Sequence, residues 1–215
     1  MTDTETRDRR QTILDLAAEL FAAKGIAATT VRDIGDAAGI LSGSLYHHFE
    51  SKEAMVEEIV LTYLEGLRES YKEISKESDD PLECLKGFIR ASFSAIDEHR
   101  YACEIYQNDL GYLHSFPGAA KVDEVAADIH RLWIKVFTDG ARKGQFRTDI
   151  DSTVYYRFAR DAIWFTVRWY KPGGRYRSNK LADDFIMVLL EGIRTTPRQG
   201  SGRTNNGSKA KTGKS

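Results

Sequence analysis

A chain of 215 residues, 41% hydrophobic and 29% charged with four prolines, holds one large domain or a small domain fused to a medium one. It contains no apolar run long enough to span a bilayer, and the opening MTDTETRDRRQ lacks a signal-peptide core, so a cytoplasmic protein is expected, with no membrane partner. The net charge of −1, with five basic against eight acidic side chains in residues 1–50, excludes a histone-like coating of nucleic acid.

The hydrophobic pattern predicts helix nearly throughout, an all-α chain without solenoid repeats. A first helix is expected over about 9–24, with Ile13, Leu16, Ala17, Leu20 and Phe21 on its inner face. Gly25 stands where a left-handed C-terminal cap is wanted, and Ile26 follows to pack back. Thr30 and Asp33 have capping-box spacing at the start of a second helix, whose inner face is Val31, Ile34, Ala37 and Ala38. Gly39 ends it after two turns, and a third short helix is expected over 42–49.

Ser51 opens a long helix to about residue 75, with Glu53 in its first turn and the stripe Val56, Val60, Tyr63, Leu67, Tyr71 and Ile74. The SDDP segment breaks it, and Pro81 suits a first helical position. Further helices are expected over 81–98, 101–114, 118–142, 152–170 and 179–194. After Pro197 the tail over 197–215 is basic and almost free of apolar residues, and reads as disordered.

Two short helices joined through Gly39 suggest a helix-turn-helix. Over Thr29–Met55 the run TTVRDIGDAAGILSGSLYHHFESKEAM strongly resembles the TetR family of repressors. That resemblance implies a helix-turn-helix DNA-binding domain over 1–50 (running into the next helix to about 60), a ligand-binding and dimerisation domain over 51–196, and the disordered tail. It also implies a regulator rather than an enzyme, with double-stranded operator DNA, a second copy of the chain and a small-molecule effector as partners.

The residues are consistent with such a role. Gly43 permits close approach to a duplex. Tyr46 and Lys52 are suited to phosphates, and Thr30 offers its hydroxyl and the amides of the second helix. Ser42, Ser44 and His47 are expected at base edges, and Leu41 at a thymine methyl. Family members often have serine at the position of Leu41 and lysine at that of Ser42, so Ser42 is expected to shift the N-cap by one residue. The segment has no Arg, Asn or Gln in the recognition helix. Specificity is therefore expected from dimer spacing, apolar contact and DNA shape.

In the body, Val154, Phe158, Ala162, Phe165 and Trp169 form one apolar stripe, and Phe185, Met187, Val188, Leu189, Leu190 and Ile193 form another. Together they predict an intersubunit four-helix bundle, against the alternative of burial within one subunit. A second stripe on the first of these helices carries Arg157, Arg160, Trp164 and Arg168, with Asp161 as a partner for Arg157. It is either a salt-bridged surface or an anion-binding wall with a stacking tryptophan.

The segments AGILSGSLYHHFESKEAMV and YYRFARDAIWFTVRWYKPGG are similar to the sterol-catabolism repressors within that family. This similarity implies control of cholesterol and steroid catabolism genes, no cofactor, and release by a CoA thioester of a sterol ring-degradation intermediate. It places Arg160 and Trp164 at effector-contacting positions. Another acyl-CoA or hydrophobic effector is the alternative. An acyl-CoA-binding enzyme is the rival class, but the chain shows no phosphate loop, nucleophile elbow or zinc-protease pair, and a helical adaptor is a third class. A metal site from His99, Cys103 and Cys84, or a redox switch between the cysteines, has little support from so few ligands.

Overall fold

The computed structural model describes residues 3–191, and these residues form helices without a strand. Helix α1 spans Asp3–Lys24 and buries Ile13, Ala17 and Phe21, together with Leu14 and Ala18. The chain turns at Gly25 (φ 84°), and Ile26 is fully buried against the helix. Helix α2, Val31–Ala38, starts in the expected capping box: the Thr30 hydroxyl accepts from the Asp33 amide, and the Asp33 carboxylate accepts from the Thr30 amide. Gly39 then takes up the left-handed conformation (φ 66°).

The turn depends on a second glycine. A Cβ at Gly35 in α2 would stand 3.0 Å from the Ile40 carbonyl oxygen and 3.3 Å from the Ser42 amide nitrogen. This close approach lets the chain fold back immediately into α3, Ser42–Leu45. The third helix is thus one turn long rather than running to residue 49, with Tyr46 as its C-cap. Its N-cap is Leu41, which has no side-chain capping bond, so the expected shift of the cap to Ser42 does not occur. Ala37 is exposed, so the inner face of α2 is Val31, Ile34, Gly35 and Ala38.

Helix α4, Lys52–Glu77, is capped by Ser51, whose hydroxyl accepts from the Ala54 amide at 3.0 Å. Its 26 residues extend about 39 Å at the usual helical rise. The predicted stripe Val56, Val60, Tyr63, Leu67 and Tyr71 is buried, with Ile74 partly so. Helix α5, Pro81–Glu98, begins at Asp80 and Pro81 as expected. The predicted helix over 101–114 divides at Asp109, whose backbone leaves the helical region, into α6, Arg100–Asn108, and α7, Leu110–Leu113.

Helix α8, Ala119–Arg142, lies along α4 and α5. Its Trp133 meets Tyr71 and Phe88 edge-on at 5.9 and 5.6 Å, while those two rings stack at 4.4 Å. The Tyr71 hydroxyl is 2.6 Å from that of Ser92, which donates to the Phe88 carbonyl. Tyr71 is therefore the donor to Ser92, and this buried polar pair is satisfied. Helix α9, Ser152–Trp164, is shorter than predicted and tightens into a 3-10 turn at Phe165–Arg168. Helix α10, Ser178–Glu191, packs on α5 through Ala182, Ile186 and Phe185, whose ring is 6.1 Å from that of Phe93. Ile193 and the basic tail lie outside the described residues.

Candidate functional site

Two regions have the chemistry of a site, and α4 joins them. The first is an open groove between the start of α2 and the start of α4. It is lined by Thr30, Tyr46 and Lys52, with Glu50, Ser51 and Glu53. Two helix N-termini open beside it, a setting that favours anions. The predicted phosphate-facing residues are therefore neighbours, although 22 positions separate Thr30 from Lys52 in sequence.

The hydrogen bonds there differ from a set of idle donors. The Lys52 ammonium donates to the Ile26 carbonyl at 2.8 Å and to the Thr29 carbonyl at 3.0 Å. An ammonium has three N–H bonds, so one remains for an external acceptor. The Thr30 hydroxyl donates to the Asp33 carboxylate at 2.6 Å. That bond, followed by the Thr30 amide and Lys24, holds the Asp33 carboxyl well below the ordinary carboxylate range.

The other described cations of this segment also face inward or pair with acids. Arg9 donates to the Ala38 carbonyl at 2.6 Å, closing the C-terminus of α2. Arg10 forms a two-pronged pair with Glu58 of α4 and lies over the Phe49 ring at 4.5 Å. Lys24 pairs with Asp33 at 3.0 Å and Arg32 with Asp36 at 3.7 Å. Arg9 and Lys24 thus tie α1 to α2, and Arg10 ties α1 to α4. The outer face presents something else: Leu41, 81% exposed, Tyr46, 60% exposed, and the exposed Gly43 and His47, with Ser42 and Ser44 half-buried. A Cβ on Gly43 would meet nothing within 4 Å, so no contact inside the protein requires glycine there.

The second region is a cavity of about 480 Å³ walled by α4, α6, α8 and α9. Leu64 comes from α4, Tyr106 and Gln107 from α6, Ile129 and His130 from α8. Helix α9 supplies Arg157, Arg160 and Trp164, three of the four predicted wall residues. Arg168 is not among the lining residues. The 3-10 turn takes it out of helical register, and it lies over the Phe165 ring at 4.8 Å and reaches Asn108 at 3.3 Å. Asp161 pairs with its neighbour Arg160 at 2.7 Å, not with Arg157, which is exposed and has no partner among the described residues. The Arg160 guanidinium lies 5.5 Å from the centre of the Tyr156 ring. Trp164 meets Tyr106 edge-on at 5.4 Å. The site is cationic and aromatic along α9 and apolar elsewhere except for Gln107 and His130, within the size range of small-molecule sites.

Sequence reasoning missed the contributions of α6 and α8. Gln107 and His130 stand alone in their helices, with no repeated spacing to mark them. Each has a sealed, unpartnered atom, Gln107 Oε1 and His130 Nε2. The apolar stripes, by contrast, were visible. Phe158, Phe165 and Trp169 are 69, 51 and 56% exposed, and Met187 and Val188 are 54 and 52% exposed, so burial within one subunit does not account for them. Phe165 also lines the cavity, so the stripe and the cavity share an edge. Burial pushes the Cys103 thiol up to about 11, and Cys84 donates to the Ser78 carbonyl at 3.1 Å, so neither has the character of a reactive thiolate. Among the described residues no helix is long and apolar enough to cross a membrane.

Residues 13–59 match the model of bacterial regulatory proteins of the tetR family, and residues 78–193 match that of the tetracyclin repressor-like C-terminal domain. The HTH-type transcriptional repressor KstR2 of Mycobacterium tuberculosis (strain ATCC 25618 / H37Rv) is 42% identical over 189 residues, which is 88% of this chain and 94% of that protein. KstR2 of Mycolicibacterium smegmatis is 44% identical over 193 residues, 89% of this chain and 94% of that protein. The solved structure of the ketosteroid transcriptional regulator KstR2 of Mycobacterium tuberculosis has a TM-score of 0.82 over 87% of this chain and 96% of its own, at 42% identity. The chain belongs to the TetR family of bacterial regulatory proteins, and it is a TetR-type transcriptional repressor rather than an enzyme.

Proposed function

We propose that this TetR-family repressor controls steroid-catabolism genes as a homodimer on a palindromic operator, and is released by a CoA thioester of a sterol ring-degradation intermediate. The observation that carries the reading is a single helix serving both regions. Leu64 of α4 lines the cavity and Lys52, the first residue of the same helix, stands in the N-terminal groove. The two positions are about 18 Å apart along the helix axis. A ligand that displaces the Leu64 turn therefore moves the Lys52 end and the helices tied to it.

The geometry supports a division of labour between the two regions. The groove at Thr30, Tyr46 and Lys52 takes a phosphate through the Tyr46 hydroxyl, the amides that open α2 behind Thr30, and the remaining ammonium proton. Leu41, Ser42, Ser44 and His47 face the bases, and the glycine at position 43 serves the approach of DNA. In the cavity, Arg160 and Trp164 take the thioester and the fused rings. The exposed Arg157 at the rim suits the phosphates of a nucleotide tail that the cavity is too small to enclose. Relatives named KstR2 repressors, one called a ketosteroid transcriptional regulator, support the steroid assignment.

The two apolar stripes take a second copy of the chain. Two recognition helices must then stand about 34 Å apart to reach successive major grooves, so a small rotation of α4 biases binding. Mobility shift of the chain's own upstream DNA, with and without thioester, tests the proposal. A shifted band abolished by the sterol-derived thioester is expected. A band that no thioester changes contradicts release.

A further inference from the structure

Helix α8 is 24 residues long, yet its N-terminus has no cap of its own. Gly118 stands at the N-cap without a side chain to cap with, and the first turn holds no acidic residue. The amides of such an end ordinarily take an acceptor from the adjacent sequence. Here the acceptor comes from another helix: Glu57 of α4 accepts from the Gly118 amide through Oε1 at 2.8 Å. Gly118 has ordinary right-handed geometry (φ −81°, ψ −2°), so its backbone does not require glycine. The space does. A Cβ at Gly118 would overlap the Glu57 carboxylate.

Glu58, the next residue, holds a different partner. Its carboxylate takes the two-pronged bond from Arg10 of α1. One turn of α4 thus grips the DNA-binding helices through Glu58 and the ligand-binding helices through Glu57. Two further ties follow along the seam between α4 and α8, Glu65 with Lys121 at 3.2 Å and Arg68 with Asp128 at 3.4 Å. Of the three, the bond of Glu57 is nearest Lys52, about 7.5 Å away along the helix axis. From Gly118, α8 runs about 12 Å to Ala126, the first of its cavity-lining residues.

We infer that Glu57 is the positioning residue of the joint between the DNA-binding helices and the body: by capping α8, it fixes the angle between α4 and α8 at the end that carries the helix-turn-helix. A shift of α8 at the cavity then reaches α4 five residues from Lys52, and need not first act at Leu64. The positioning stands on Glu57 and Gly118 alone, whereas its control by a ligand rests on the proposed effector site. Nothing near Gly118 marks the contact in the sequence, because 61 positions separate the partners.

The distance between the two parts of the full chain tests this. Spin labels at Ala37→Cys on α2 and Glu124→Cys on α8 occupy exposed positions, and the native Cys84 and Cys103 are buried. Labelled chain is diluted with unlabelled chain, and the distance within one chain is read by double electron–electron resonance. The parent is expected to give one narrow distribution. Glu57→Ala should make it about twice as wide, as α2 samples further orientations. Gly118→Ala, whose methyl displaces the carboxylate from the other side, should widen it equally. Glu57→Gln keeps an oxygen acceptor and should stay near the parent. So should Lys121→Met, which removes only the tie to Glu65. Widths in Glu57→Ala and Gly118→Ala equal to the parent's overturn the inference, even with a lowered melting temperature, for the bond is then only a cap. Equal widening by Lys121→Met overturns it as well, because the whole seam is then the joint. A sterol-ring CoA thioester is expected to move the distance in the parent, and to move it less in Glu57→Ala. A shift as large in that variant overturns coupling through Glu57. If the variants widen the distribution while the thioester moves nothing, the positioning role stands and the effector reading falls.

Discussion

The ammonium of Lys52 is bonded to the carbonyl of Thr29, joining the first residue of α4 to the loop that launches α2. The same nitrogen holds the Ile26 carbonyl. Lys52 is therefore a strut between the long helix and the helix-turn-helix as well as a phosphate candidate. The two roles give different salt signatures. A phosphate contact contributes about one unit to the slope of log affinity against log salt, whereas a strut alters affinity with the slope unchanged. In Lys52→Met, loss of the two carbonyl bonds is expected to cost roughly 1–3 kcal/mol of stability. Operator affinity should fall together with a slope smaller by about one, because the two carbonyls leave the third N–H for a phosphate. An unchanged slope assigns Lys52 to the strut alone.

Gly35 sets the geometry of the turn. Gly35→Ala places a methyl 3.0 Å from the Ile40 carbonyl oxygen, which belongs to main chain and cannot rotate away. A destabilisation of about 1–3 kcal/mol is expected by thermal or urea unfolding, with weakened operator binding. Gly43→Ala is the control, since its methyl meets nothing within 4 Å of the protein. It should leave stability nearly unchanged and still reduce operator affinity.

Acid sensitivity follows from the capping box. The Thr30 hydroxyl, then its amide and Lys24, hold the folded Asp33 carboxyl below its unfolded value. The corresponding stabilisation is complete above the ordinary carboxylate range and is lost as pH falls through that range toward the folded value. The melting temperature should therefore fall on acidification below about pH 5. Thr30→Val should flatten that fall. Asp80, lowered by its bond from Gln145, and Asp151, lowered by Thr153, leave the variant with a residual slope. A variant as acid-sensitive as the parent contradicts the assignment.

Much of this architecture is legible in the sequence where a local signal exists. Thr30 and Asp33, Gly39, Ser51 and Pro81 mark helix ends because each acts within a few residues of itself. Arg160 and Trp164 are four apart on one helix, so their shared wall is a matter of helical period. The misses have a common cause. Gly35 is required by backbone five residues away, across a turn. Arg168 leaves the wall because the helix tightens after Trp164, which no residue type announces. Gln107 and His130 join the site only when α6 and α8 are packed against α9. The negative local charge of residues 1–50 also has a physical sense now: Arg9, Arg10 and Lys24 are engaged in bonds between helices and do not form an unpaired basic patch.

The exposed apolar stripes predict assembly. Phe158→Glu combined with Val188→Glu puts charges on both stripes, at positions 69 and 52% exposed, without disturbing the core of one subunit. Sedimentation should show a dimer for the parent and a monomer for the double variant. Operator affinity should drop by about a hundredfold or more as the two half-sites cease to be engaged together. A double variant that remains dimeric places the interface elsewhere.

The central claim, that the cavity is the input of a sterol-thioester switch, is tested most directly by operator release at fixed salt. The parent, Arg160→Ala and Trp164→Ala are each titrated with a sterol-ring CoA thioester and with short fatty acyl-CoAs. Release of the parent by the sterol-derived thioester is expected, with the half-maximal concentration raised about tenfold or more in each variant. Release by short fatty acyl-CoAs alone, unaffected by either substitution, contradicts the account.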